Sequence, residues 1–194
     1  MMVIRPSTSG GEGIFCPVST IYNELAANRP DLLCDLAEPD WPFDWPRARD
    51  GSLVRRPVMF LGERSAAAEM IFSRGALIRS HHGFRPGHVP PLTRRQGAAL
   101  DALQLIAEEA AYRVQYETGD LVFFNNRRVL HGREAFRDED DGLGKRHLLR
   151  LWLRDAELAG TPPFPLGRVW LDRFDETAIK GSDDTRWPLI PVED

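Results

Sequence analysis

The sequence predicts a mainly β protein with flanking helices (α+β), of the sandwich or jelly-roll kind. Two observations carry that prediction. Short apolar segments recur along the chain, separated by Gly, Asn, Asp and Pro. Only one segment, Arg94–Ala110, is long and helical in its spacing. Many short strands with few helices bury their apolar faces best in two packed sheets.

The elements follow in order. Met2–Arg5 is short and apolar enough for a strand, and Ser7–Gly11 reads as a turn. Gly10-Gly11 allows a tight turn or a close backbone approach. Ile14–Val18 is a second strand, after which Ser19 or Thr20 can cap a helix over Ile21–Ala27. Pro30 can open another short helix through Leu36. Glu38–Asp50, rich in Pro, Trp and Asp, reads as an ordered loop. Val54–Leu61 and Glu69–Ser73 read as strands, and Ile78–Pro91 as irregular. Thr93 can cap the long helix, whose Ala99, Leu103, Ile106 and Ala110 share one face. Tyr112–Glu117, Leu121–Asn125, Arg128–His131 and His147–Leu153 complete the strands. The tail after Gly160 carries apolar anchors at Phe164, Trp170 and Phe174. With no internal repeat or clear boundary, residues 1–160 read as one domain and 161–194 as a tail packed on it.

Composition narrows the function. The 194 residues suffice for one domain with a real core. With 42% hydrophobic and 28% charged residues the chain resembles ordinary globular proteins. A net charge of -4 gives no general reason to expect nucleic acid or an anionic membrane as a partner. No apolar run approaches the roughly 20 residues of a membrane span. No signal-peptide pattern opens the chain. Cys16 and Cys34 fit neither a disulfide framework nor a zinc spacing, and are expected to be small, buried, reduced thiols of a cytoplasmic protein.

The chemistry concentrates in Gly119–Leu153. Alternation on the last strand puts Arg146, Leu148, Arg150 and Trp152 on one face, and His147, Leu149, Leu151 and Leu153 on an ordinary core face. The two arginines lie about 13 Å apart along the backbone, a distance long side chains can close. Guanidinium groups among apolar neighbours need anionic partners. A dicarboxylate ligand gripped in bidentate forks would serve, as would Asp or Glu of this chain or water at a strand edge. His131, at the end of an apolar segment, reads either as a hydrogen-bonded structural residue or as a metal ligand. Asp138–Asp141 reads as a solvated turn. His81, His82 and His88 match no single strand or helix face, and read as loop histidines or as a metal cluster.

GGEGIF (Gly10–Phe15), TRRQGAALDAL, GDLVFFNNRRVLHGREAF and KRHLLRLWL, in that order, resemble the TauD/TfdA family of Fe(II)/2-oxoglutarate-dependent dioxygenases. The resemblance covers about Met1–Asp155 and rests mainly on the last two motifs. It implies a double-stranded β-helix, the clavaminate synthase-like jelly roll. It implies Fe(II) held by two histidines and a carboxylate, 2-oxoglutarate as co-substrate, and molecular oxygen. By resemblance His131 is the distal iron ligand, and Arg146 binds the distal carboxylate of 2-oxoglutarate. Arg150 lies near the co-substrate and an anionic group of a small substrate. Asn125 and Asn126 support the site from beside it. The implied reaction hydroxylates the substrate and releases succinate and CO2.

The sequence departs from the family at two points. No His-x-Asp or His-x-Glu occurs in it, and only nine residues precede Gly10. The family places that motif some two dozen residues earlier. Three explanations stand: a fragment incomplete at the N-terminus, a degenerate binding module, or a chain recruiting ligands from His81, His82, His88 or a partner. Missing strands would expose core surface and favour self-association into homo-oligomers. Gly13 also stands where many relatives carry a hydroxyl or amide that hydrogen-bonds 2-oxoglutarate. A non-catalytic jelly-roll module binding a small anion or a protein is the rival reading. A zinc hydrolase or cupin-like isomerase built on the loop histidines is the third.

Overall fold

The computed structural model describes residues 1–44, 53–61, 68–78, 89–138 and 145–151, with Leu153, Pro163, Leu166 and Gly167. The chain divides into two units, Met1–Leu153 and Arg154–Asp194. In the second, the Leu166 N–H donates to the Pro163 carbonyl at 2.8 Å. In the first lie eleven short strands and four helices among the described residues.

β1 (Met2–Arg5) matches the expected strand. The expected turn after it contains β2 (Ser9–Gly10), because Gly10 and Gly11 adopt φ of 67° and 80° and bring the backbone onto Ala135. β3 is Gly13–Pro17, and α1 is Val18–Asn28. Neither Ser19 nor Thr20 caps α1: Pro17 holds the N-cap position with no side-chain cap, so the helix starts earlier than its hydroxyls suggest. The Val18 N–H is instead satisfied by the Arg128 carbonyl at 2.9 Å. α2 (Pro30–Ala37) has its proline at the first turn, where a missing N–H costs nothing.

The loop expected after α2 contains β4 (Trp41–Asp44), paired antiparallel with β5 (Leu53–Arg56). Trp41 is drawn into the core, with its indole N–H on the Asp35 carbonyl at 2.9 Å, and that fixes the strand. The single strand expected over Val54–Leu61 is two, β5 and β6 (Met59–Phe60), on either side of Pro57, which has no N–H for a ladder. β7 (Glu69–Met70) pairs with β6. α3 (Arg74–Ile78) fills the gap between the strand expected over Glu69–Ser73 and the irregular segment expected from Ile78.

α4 (Arg94–Glu109) starts where its cap predicts. The Thr93 hydroxyl accepts from the Gln96 N–H at 3.2 Å, and the Gln96 side chain accepts from the Thr93 N–H at 3.0 Å. Such a box contributes about 1 kcal/mol. Leu100 and Leu103 of α4 pack with Ile21, Leu25, Leu36, Trp41, Met59 and Met70 in one core cluster. Arg95 pairs with Asp35 of α2, and the Gln96 amide donates to Asp40 at 3.0 Å. Arg56 is buried against this core, with its guanidinium 3.6 Å from the centre of the Phe43 ring and donating to the Ile71 carbonyl at 2.6 Å. Burial pulls its pKa down to about 10.

The remaining strands build the site, with β3 and β9 joined to this core through Cys16 and Leu130. β3 is the centre of an antiparallel sheet, β8-β3-β9, with β8 (Tyr112–Val114) and β9 (Val129–Arg133) at its edges. β10 (Phe136–Arg137) carries the ribbon on by pairing with β2. β1 lies between β11 (His147–Leu149) and the Gly119–Val122 segment. Leu121 makes a single bridge to Met2, so the strand expected over Leu121–Asn125 does not form. The face of His147, Leu149, Leu151 and Leu153 is not a core face: all four are exposed, Leu153 to 72%. Cys16 is buried, but Cys34 is exposed, on the side of α2 opposite Leu33 and Leu36. Trp152, His81, His82, His88, Phe164, Trp170 and Phe174 lie outside the described residues, as does most of Asp138–Asp141.

Candidate active site

The antiparallel register of β3 and β9 sets Phe15 opposite His131. The His131 imidazole lies against Phe124, with ring centroids 4.6 Å apart, and Phe124 meets Phe15 edge-on at 5.4 Å. Burial among these rings pulls the His131 pKa below its ordinary value, and the Arg150 charge pulls it the same way. A hydrogen bond to the Val129 backbone opposes both. The net effect keeps the imidazole neutral near pH 7, as metal ligation requires. The backbone contact also fixes the ring's orientation.

The NNRR turn before β9 is why His131 sits there. The Asn125 side-chain oxygen accepts from the Arg127 N–H at 3.0 Å. Its carbonyl accepts from the Arg128 and Val129 N–H groups, both at 3.0 Å. Arg127 and Arg128 reach Glu69 of β7 at 3.2 and 3.8 Å, and the Met70 N–H donates to the Arg127 carbonyl at 2.8 Å. Asn125 therefore builds the turn, and the paired arginines tie the start of β9 to the core side of the molecule.

An open pocket of about 120 Å³ lies over the imidazole. His131, Arg150 and Asn126 line it, with Met1, Phe123 and Leu151 among the apolar walls. The structure thus brings together three of the five residues singled out by resemblance. It places Arg146 elsewhere, in a recess with Tyr116, Gly10 and Gly11. There the Arg146 guanidinium is 5.5 Å from the Phe136 ring centre, and that of Arg133 is 4.2 Å from the same ring. Burial and the neighbouring Arg133 charge both lower the Arg146 pKa, yet a guanidinium stays protonated at neutral pH.

Sequence reasoning missed Phe124, which lines the His131 pocket, and Tyr116, Arg133 and Phe136, which lie about Arg146. The aromatic pair Phe123-Phe124 beside NNRR was a usable signal for one of them. Nothing in the local sequence marks Tyr116, because its position depends on Gly13 across the sheet. Among the described residues, no three of His, Cys, Asp and Glu come together as a metal site. The described residues offer one imidazole suited to a metal and cations suited to a carboxylate, and so fit a Fe(II) centre only in part.

The chain is similar to known proteins over most of its first unit. Residues 1–152 match the model of the taurine catabolism dioxygenase TauD, TfdA family. The taurine hydroxylase-like protein SAT17 of Stachybotrys chartarum is 31% identical over 160 residues, covering 82% of this chain and 40% of that protein. An asparagine oxygenase, solved with Fe(II), 2S,3S-3-hydroxyasparagine and succinate, shares the fold. Its TM-score is 0.57 at 21% identity, over 75% of this chain and 41% of that one. The non-heme iron oxygenase OrfP, solved with Fe, gives 0.51 at 18% identity, over 75% and 42%. The chain thus spans about 40% of the length of the relatives it matches. On the family match over residues 1–152, the chain belongs to the taurine catabolism dioxygenase TauD, TfdA family.

Proposed function

We propose that this chain carries the distal-histidine and arginine part of a Fe(II)- and 2-oxoglutarate-dependent dioxygenase, built on a double-stranded β-helix. The reaction would hydroxylate a small anionic organic substrate with molecular oxygen, converting 2-oxoglutarate to succinate and CO2. The observation that carries the reading is the pocket shared by His131 and Arg150, a neutral imidazole beside a guanidinium. Family membership supports it, as do the relatives' bound groups: Fe(II) and succinate in asparagine oxygenase, Fe, succinate and hydroxyarginine in OrfP.

When bound, Fe(II) would supply the activation of oxygen. His131 would offer it one ligand, and Arg150 would face the anionic end of substrate or co-substrate. Arg146 would hold the distal carboxylate of 2-oxoglutarate. Asn125 and Asn126 would support the pocket, the first through its turn and the second on the wall. A cytoplasmic location fits two unbridged cysteines.

Calorimetric titration of 2-oxoglutarate, with and without Mn(II) as an oxygen-inert stand-in for Fe(II), tests the reading. Metal-dependent binding that Arg146→Ala weakens at least about tenfold is the expected result. Binding of equal strength without metal would favour a non-catalytic anion-binding module. Parental affinity in Arg146→Ala would remove that arginine from the co-substrate site.

A further inference from the structure

We propose that Glu69 is a positioning residue for the His131 imidazole: through Arg127 and Arg128 its carboxylate fixes where β9 begins, and so where that ring lies. The inference rests on the dioxygenase reading above for what the imidazole does, and adds a residue to it.

Glu69 stands in the short strand β7, opposite Phe60 of β6. Its neighbour Met70 is fully buried in the core cluster, so the strand is anchored. One carboxylate oxygen of Glu69 lies 3.2 Å from the Arg127 guanidinium, and the other 3.8 Å from that of Arg128. The side chains of Glu69 and Arg127 are 15% and 10% exposed. An ion pair so withdrawn from water is weakly screened, and holds its geometry more firmly than a surface pair. Backbone bonds act at the same two residues. The Met70 N–H donates to the Arg127 carbonyl at 2.8 Å, and the Val18 N–H to the Arg128 carbonyl at 2.9 Å. Side chain and main chain together grip the end of the NNRR turn.

That turn leads directly into β9, where position decides chemistry. Leu130 packs against the core cluster and pairs with Cys16. His131, one residue on, falls on the other face, opposite Phe15 and against Phe124. A one-residue slip of the strand would exchange these faces and carry the imidazole out of its pocket. Arg128 and Arg127 stand three and four residues before His131, at most about 13 Å of chain. Glu69 therefore acts on the imidazole through the strand.

The test uses the full chain and the proton magnetic resonance signals of its five histidines, read at one pH well above the imidazole range. His131→Ala identifies the His131 signal, which the Phe124 ring displaces from the position of an exposed histidine such as His147. Glu69→Gln keeps the side chain's shape and removes its charge. In that variant the His131 signal should move most of the way toward the exposed position. Mn(II) broadens signals close to it; the concentration needed to broaden this one should rise about tenfold, as when a residue that orients a metal ligand is lost. Thr93→Ala, which breaks the α4 capping box, should lower the melting temperature and leave the signal in place. Glu69→Asp withdraws the charge by one methylene and should shift the signal the same way by less. A parental His131 signal in Glu69→Gln, or in Glu69→Asp where only that variant folds, overturns the proposal. So does an equal shift in Thr93→Ala, which would mark a loss of general stability. Failure of Mn(II) to broaden the parent's His131 signal would instead sink the metal-binding reading, with the role of Glu69 still decided by the metal-free spectra.

Discussion

Gly13 and Tyr116 share one space: the phenol oxygen of Tyr116 stands where the Cβ of any other residue at position 13 would be. Phe15 closes the same spot, with its Cε2 2.7 Å from that point. Gly13→Ala should therefore destabilise the fold although alanine is the smallest possible addition. The expected loss is about 1–3 kcal/mol, the usual cost of overpacking. Chemical denaturation of the two proteins measures it, and an unchanged midpoint would show that the phenol moves aside freely.

The Tyr116 phenol, with its pKa raised by burial, also predicts an alkaline effect. A group whose folded pKa lies above its unfolded value of about 10 stabilises the fold fully below that pH. The contribution is lost as pH rises through the folded value. Tyr116→Phe cannot ionise, so its stability should fall less steeply above pH 10 than the parent's. Parallel curves for the two proteins would contradict the burial of this hydroxyl.

His131 leans on Phe124 and Phe124 on Phe15, so the imidazole's orientation is set by packing as well as by the Val129 backbone. His131→Ala should abolish the part of 2-oxoglutarate affinity that depends on Mn(II). Phe124→Ala should reduce that part severalfold while leaving the metal-free affinity alone. Titrations with and without the metal separate the two terms. Equal metal dependence in parent and His131→Ala would show that another group holds the ion.

The two thiols should react at very different rates. Cys34 is exposed on α2, whereas Cys16 is buried in β3 with its pKa raised by burial. A thiol reagent should label Cys34 within the mixing time of ordinary assays and Cys16 only on unfolding. Rapid labelling of both would mean that β3 opens readily in the native state.

Leu121, Phe123, Leu151 and Leu153 are 63%, 72%, 66% and 72% exposed, and Phe123, Leu151 and Leu153 border the His131 pocket. An apolar surface of this kind favours self-association. Sedimentation should show concentration-dependent oligomers, reduced when Phe123 and Leu151 are both replaced by Glu. A monomer at all concentrations would exclude that behaviour.

The sequence by itself determined the local elements whose signals are local. Thr93 and Gln96 announce α4, Pro30 opens α2, and the alternating apolar runs place β1 and β9 within a residue or two. It also determined the family, because NNRRVLHGR and KRHLLRLWL keep their order. Tertiary structure decided what depends on distant partners. Trp41 becomes a strand because the core takes its ring, and β10 exists because Gly10 brings β2 to it. Leu149 and Leu151 alternate like core residues yet lie exposed, since period-two patterning names two faces without saying which is covered. His131 and Arg150 meet in one pocket while Arg146 turns to Tyr116, a choice made by sheet register and packing rather than by spacing along β11. A motif fixes which chemical groups the chain carries, but their distances are set by the contacts between strands far apart in the sequence.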